Sequence, residues 1–191
     1  MSERTTYKLQ SLKPLKPESA EPKAREILDE AKSGLGMVPN MYSNMANLPG
    51  LLSTYAHGYE HFRQNSSLSP AEQEVVLLSI SRENGCTYCM AAHSTLADNA
   101  SGVPKEVTDA LRDGHTLPDE KLAALADFTR QMVLTGGRPT PADVERFFAA
   151  GFEEEHILTI ILAMAVKTIS NYSNHVFGTE VDAAFKARAW E

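Results

Sequence analysis

The chain has 191 residues, a size that suits one hydrophobic core and leaves a second full domain cramped. Apolar side chains make up 42% of it, close to half once the 11 glycines are added, which excludes a disordered or fibrous protein. Eighteen basic against 25 acidic residues give a net charge of −7, and with no Lys/Arg cluster to oppose that field a nucleic-acid surface is excluded as well.

Residues 1–17 hold Lys8, Lys13, Pro14, Lys16 and Pro17 with little periodic apolar content, so they are expected to form an extended arm ahead of a single helical domain over 18–191. From Ala20 onward, Ala24, Ile27, Leu28 and Ala31 repeat at helical spacing, with Gly34 and Gly36 as the stop. Met37 to Tyr42 reads as a loop entering a short helix, and Pro49 opens another through Leu52, Tyr55, Tyr59 and Phe62 to about Asn65. Ser69-Pro-Ala-Glu72 combines a capping hydroxyl, a proline at the first helical position and a glutamate three residues after the cap, which fixes a helix start at Pro70. Asn84-Gly85 ends that helix, and the next begins at Cys86 or Thr87 and runs to the Ser101-Gly102 break. The two form a helical hairpin, with the core motif region at 66–102. Further helices are expected over Pro104 to Asp113, Pro118 to Leu134, Pro141 to Ala150 and Glu153 to about Tyr172, and Val181 to Trp190 is helix-compatible. No strand alternation is present, so the fold class is all-α, built from antiparallel helices.

The longest apolar run, Ile157 to Val166, is broken by Thr159 and closed by Lys167, about half a bilayer span, so no membrane segment is expected. The first residues lack the apolar core of a secretory signal, which makes a cytoplasmic location the expectation. Two cysteines three residues apart, Cys86 and Cys89, then require explanation in a reducing compartment.

Cys86, Cys89 and His93 stand at i, i+3 and i+7, so on a helix they project from one face within two turns. Both thiols lie at the helix start, where unpaired backbone N–H groups and the dipole favour thiolate over thiol. His93 can take the Cys89 proton, and the antiparallel preceding helix brings Glu74 alongside to orient the imidazole, while Glu72 is committed to its cap. Which thiol attacks stays open on spacing alone: a thioredoxin-like pair favours Cys86, and contact with His93 favours Cys89.

Glu74, Cys86-Thr-Tyr-Cys89 and His93 resemble the signature of the alkylhydroperoxidase D (AhpD)-like branch of the carboxymuconolactone decarboxylase superfamily. Gly36-Met-Val-Pro-Asn40 and the stretch Gly151-Phe-Glu-Glu-Glu-His-Ile157 further resemble the peroxidase-related proteins of that branch, so the likeness spans about residues 34–182. The resemblance implies an AhpD-like helical bundle that assembles into homo-oligomers and reduces hydrogen peroxide or organic hydroperoxides. It makes Cys89 the peroxidatic thiol, Cys86 the thiol that condenses with it to a disulfide, and Glu74 and His93 a proton relay. An external dithiol, protein or lipoyl in type, would restore the pair, and no metal, flavin or haem is required. One departure is Tyr88, which stands where the best-studied members carry a second histidine; a phenol does not relay protons at neutral pH as imidazole does.

Two other functions are compatible with these residues: a carboxymuconolactone decarboxylase-like reaction, which calls for no cysteine pair, and a non-catalytic redox sensor. A zinc site would need Glu74 or His175 as a fourth ligand, and no second paired motif exists. His57 and His61 at i, i+4 are expected on a polar helix face, and His115 and His156 are expected without partners. His175 is expected as a satisfied core histidine, with a place beside the site or at an interface as the alternative, and Met37, Met41 and Met45 with Tyr42 are expected in packing.

Overall fold

The computed structural model describes residues 7–191; the first six residues of the expected arm lie outside them. Nine α-helices account for most of the described chain: α1 (Pro22–Leu35), α2 (Asn40–Met45), α3 (Pro49–Asn65), α4 (Pro70–Glu83), α5 (Thr87–Asn99), α6 (Lys105–Asp113), α7 (Glu120–Thr135), α8 (Pro141–Ala149) and α9 (Glu154–Phe177). Short 3-10 turns occupy Pro17–Ser19 and Ala183–Arg188, and there is no strand among the described residues. None of these helices is long and apolar enough to cross a membrane.

Helix α4 is the axis of the molecule. Residues 72–81 are all buried, so it presents no outer face and packs against α5, α6, α7 and α9. A helix surrounded on every side has to satisfy its hydroxyls internally: Ser79 Oγ donates to the Val75 carbonyl at 2.7 Å and Ser81 Oγ to the Leu77 carbonyl at 2.6 Å. Its start is the capping box expected of Ser69-Pro-Ala-Glu72, with Glu72 N–H donating to Ser69 Oγ and Ser69 N–H to Glu72 Oε2.

Two apolar clusters flank this axis. The larger joins α4 to α6, α7, α8 and the first half of α9 through Leu77, Leu78, Leu125, Phe128, Phe147 and Ile160. The smaller joins α1, α2 and α3 to the start of α5 and contains Leu28, Met45, Leu52, Tyr55, Cys86 and Cys89. Cys86 and Cys89 thus belong to the second core, 1% and 2% exposed.

Several boundaries differ from expectation, each for a local reason. Gly34 lies inside α1, and Gly36 alone makes the stop in the left-handed region at φ 73°. Asp119 caps α7 by accepting from Leu122 N–H at 2.8 Å, which leaves Pro118 outside the helix. The expected end of α9 near Tyr172 falls within a polar stretch, yet Ser170, Asn171, Ser173 and Asn174 are buried there and the helix continues to Phe177. Asn171 Oδ1 accepts from Asn84, and Asn174 reaches the cysteines. The closing segment forms a 3-10 turn rather than an α-helix. The arm lies against the body: Leu9 N–H donates to the Val176 carbonyl and Leu15 N–H to the Ser43 carbonyl.

Candidate active site

Gly85, at φ 64°, reverses the chain between α4 and α5 in a conformation that L side chains rarely adopt, and so sets the two helices antiparallel. Cys86 is the N-cap of α5, Cys89 lies in its first turn, and His93 follows one turn later. This places both sulfurs where the helix dipole favours negative charge. The fold brings together all four residues singled out from the sequence.

Glu74 on α4 is fully buried, and its Oε2 meets His93 Nδ1 at 3.0 Å. Its other oxygen, Oε1, accepts from Arg63 Nη2 of α3 at 2.5 Å and from Ser101 Oγ at 3.3 Å. Burial alone would push the Glu74 carboxyl up, but the His93 and Arg63 partners hold it below the ordinary carboxylate value. An ionised carboxylate only accepts, so His93 Nδ1 carries the hydrogen and Nε2 keeps its lone pair. Burial first, and then the nearby Lys167 charge, push the His93 pKa below its ordinary value despite Glu74, so the ring is a neutral acceptor. Glu72 stays at its cap and pairs with Lys121 at 2.7 Å.

Around the Cys89 sulfur the neighbours are donors. Asn174 Nδ2 of α9 donates to Cys89 Sγ at 3.3 Å and to Cys86 Sγ at 3.8 Å. Burial would raise the Cys89 pKa, but the bond from Cys86 and then the charge of Lys167 bring it well below the ordinary thiol value. The bond to Cys89 and burial push Cys86 the other way, so the shared proton stays on Cys86. Geometry and electrostatics both favour Cys89 as the thiolate.

An aromatic line leads to the histidine. Tyr42 meets Tyr55 edge-on at 5.7 Å, Tyr55 stacks on Tyr59 at 5.7 Å, and the Tyr59 ring lies 6.4 Å from His93. Arg63 Nη2 donates to Tyr59 Oη at 2.7 Å, which ties this line to Glu74. A cleft of about 530 Å³ opens on the other side, onto Cys86, Tyr88, Asn174 and His175. His175 therefore borders this cleft, half-buried and with its Nε2 unpartnered, rather than sitting satisfied in the core.

Tyr88 serves to join elements. Its hydroxyl donates to Asp182 Oδ2 at 2.5 Å, and burial together with that bond pushes its pKa up. His57 and His61 are exposed, ring centroids 4.4 Å apart, with His57 in a separate cleft beside Tyr42 and Tyr59. No group of metal-ligating side chains able to hold an ion is present among the described residues. His156 departs from expectation: its Nδ1 accepts from Glu153 N–H at 2.9 Å, and its ring packs edge-on against Phe152. Met41 and Met45 are buried, and Met41 Sδ accepts from Asn174 Nδ2 at 3.3 Å.

Arg63, Asn174, Lys167 and Asp182 are not among the site residues expected from the sequence. Only Lys167 carries a local signal, as a lysine at the end of an apolar run that the helix continues beyond.

No curated protein matches the chain. Residues 49–130 match the carboxymuconolactone decarboxylase family. Among solved structures, an AhpD-core, peroxidase-related protein from Ralstonia eutropha JMP134 superimposes with a TM-score of 0.81 at 21% identity, covering 91% of this chain and 93% of its own. A peroxidase-related protein from Silicibacter sp. TM1040 gives 0.75 at 22% identity over 94% and 96%. A cysteine-to-alanine variant of the debrominase Bmp8, in complex with 2,3,4-tribromopyrrole, gives 0.76 at 16% identity over 94% and 96%. The segment that matches the family contains Glu74, both cysteines and His93, and the chain as a whole has the fold of these solved structures.

Proposed function

We propose that this protein is a thiol-dependent peroxidase that cycles Cys86 and Cys89 between dithiol and disulfide. The observation that carries this reading is the convergence on one buried sulfur, Cys89, of a second thiol, an amide donor and a glutamate-held neutral imidazole. A decarboxylase-like reaction would leave the cysteine pair without a role, and a simple sensor would not need the Glu74–His93 pair.

In this mechanism the Cys89 thiolate attacks the distal peroxide oxygen. An S–O bond forms as the O–O bond breaks, Cys89 becomes a sulfenic acid, and the leaving oxygen departs as alcohol or water after taking a proton. A solvent proton, equal to the one Cys89 released in forming the thiolate, reaches that oxygen through His93 Nε2, with Glu74 fixing the tautomer. Cys86 then displaces the sulfenic oxygen as water, supplying its own proton, and the disulfide forms. The balance is two thiols and one hydroperoxide to one disulfide, one alcohol and one water. The cleft at Cys86 gives an external dithiol its approach. The reading includes a small hydroperoxide substrate and self-association of the chain.

Stopped-flow oxidation of the reduced protein by hydrogen peroxide and by cumene hydroperoxide, followed by mass spectrometry, tests it. The expected product is a Cys86–Cys89 bond, with Cys86→Ser halting at a sulfenic acid on Cys89. Failure of both oxidants to produce the bond rejects the peroxidase, and a sulfenic acid that survives in Cys89→Ser but not in Cys86→Ser reverses the order of the thiols.

A further inference from the structure

Lys167 is 1% exposed and is the only lysine or arginine buried among the described residues. Its Nζ meets no hydrogen-bond acceptor there in good geometry, and no carboxylate lies in salt-bridge range, whereas Arg63, Arg82, Lys121, Arg130 and Arg188 are all paired. An isolated ammonium in an apolar interior costs several kcal/mol in lost hydration, so a fold that keeps one there must supply a negative partner.

Helix α9 indicates where that partner is. Lys167 lies two turns before Asn174, on the same buried face, and Asn174 donates to both cysteine sulfurs. Its neighbour Val166 packs in the cluster that holds Cys86, Cys89 and Tyr55. The other charged groups nearby are already partnered: Glu74 is balanced by Arg63 and bound to His93, and Asp182 accepts from Tyr88 and from the Asn40 backbone. The remaining titratable groups facing Cys89 are His93, Cys86 and the phenols of Tyr55, Tyr59 and Tyr88, which burial keeps protonated. With the Arg63–Glu74 pair neutral overall, the one group able to answer the Lys167 charge is the Cys89 sulfur.

We propose that Lys167 is the counter-ion of Cys89: its ammonium pairs with the Cys89 thiolate in the reduced protein and loses that partner when the Cys86–Cys89 disulfide forms. The redox consequence rests on the dithiol/disulfide cycle proposed above; the ion pair does not. Oxidation removes two electrons from the two sulfurs, transfers them to the hydroperoxide, and leaves the site with an unanswered positive charge. The reduced form is therefore stabilised over the oxidised one, which makes the disulfide strongly oxidising and readily reduced by an external dithiol. In this arrangement Lys167 acts on the nucleophile by charge, and His93 acts as a proton conduit.

The test measures Cys89 alone, in a Cys86→Ser background, by thiolate absorbance at 240 nm and by the pH profile of iodoacetamide alkylation. Lys167→Met and Lys167→Gln are each expected to raise the midpoint of thiolate formation by a unit or more, so that alkylation near neutral pH slows at least tenfold. Both replace the buried ammonium by an uncharged side chain, and circular dichroism checks that the helices remain. An unchanged midpoint in a folded Lys167→Met protein overturns the ion pair, and so does a Gln variant that retains the parent midpoint, because that would be hydrogen bonding rather than charge. With both cysteines present, equilibration of Lys167→Met against glutathione should shift toward the disulfide at least tenfold, about 30 mV for this two-electron couple. An equilibrium unmoved by the substitution overturns the redox consequence. A disulfide that never forms rejects the peroxidase cycle and leaves the thiolate titration to decide the ion pair.

Discussion

Glu74 is the residue on which two halves of the site depend, since its two oxygens answer a histidine on α5 and an arginine on α3. Glu74→Gln keeps the shape and removes the charge. It lets the amide donate to His93, which favours the wrong tautomer, and it leaves Arg63, only 20% exposed at its side chain, with a neutral partner. We expect thiol oxidation by peroxide to slow by about a hundredfold, the usual scale of positioned acid–base catalysis, and stability to fall by about 1.5–3 kcal/mol. An unchanged oxidation rate in stopped flow would remove Glu74 from the relay. The histidine carries a pH prediction with a definite sign. Because burial and Lys167 lower its folded pKa below the ordinary 6.5, the unfolded chain binds the proton more readily. Its contribution to stability is present above pH 6.5 and is lost as pH falls from there toward the folded value, at up to about 1.4 kcal/mol per pH unit. Glu74, also lowered, loses its contribution in the same direction but only below about 4.5. Urea midpoints of the parent should therefore begin to drop below pH 6.5, and His93→Gln should flatten that first descent. Parallel curves for the two proteins would show that the imidazole is not held neutral.

At the scale of elements, what the sequence revealed was what lies close along the chain. The capping box at Ser69, the Cys86–Cys89–His93 face and the reach of Glu74 across a tight hairpin all follow from spacings of three, four or seven and one reversal at Gly85. Arg63, Asn174, Lys167 and Asp182 come from α3, α9 and the segment after it, and no local periodicity says which face of a distant helix meets the sulfurs. The polar residues 170–174 looked like the end of a helix because their partners, Asn84 and the two cysteines, are supplied by packing. Tyr88 illustrates the same limit. Against a family pattern it is a missing histidine, but in the fold it is a tie between elements: Asp182 accepts from its hydroxyl and from Asn40 N–H at the start of α2. Tyr88→Phe removes one of these bonds and leaves a buried carboxylate short of a donor, a cost of about 1–3 kcal/mol. Hydrogen exchange should quicken in residues 179–188 while the pH profile of Cys89 alkylation keeps its midpoint. A shifted midpoint would give the phenol a part in the proton chemistry.

The whole molecule has an unanswered surface along α9. Its buried face holds Lys167 and Asn174, and its opposite face carries Leu158, Ile161, Tyr172 and Val176 at 68, 48, 56 and 39% exposure. These positions recur along one side of a 24-residue helix, a stripe of order 25 Å between first and last. A single exposed leucine needs no explanation, but an aligned apolar row along a helix is a surface that association would cover. A second copy of the chain is the simplest occupant, since the same row on both partners packs around a two-fold axis. Ile161→Glu with Leu158→Glu places two charges on each side of such a contact. We expect sedimentation velocity to show a larger species for the parent and a monomer for the double variant, and a parent that sediments as a monomer at tens of micromolar would remove the interface. The helix links this surface to the chemistry, because the residues that polarise Cys89 hang from its inner side. Dissociation should therefore loosen Lys167 and Asn174 together and raise the midpoint of thiolate formation in the double variant by less than Lys167→Met does, since the charge is displaced rather than deleted.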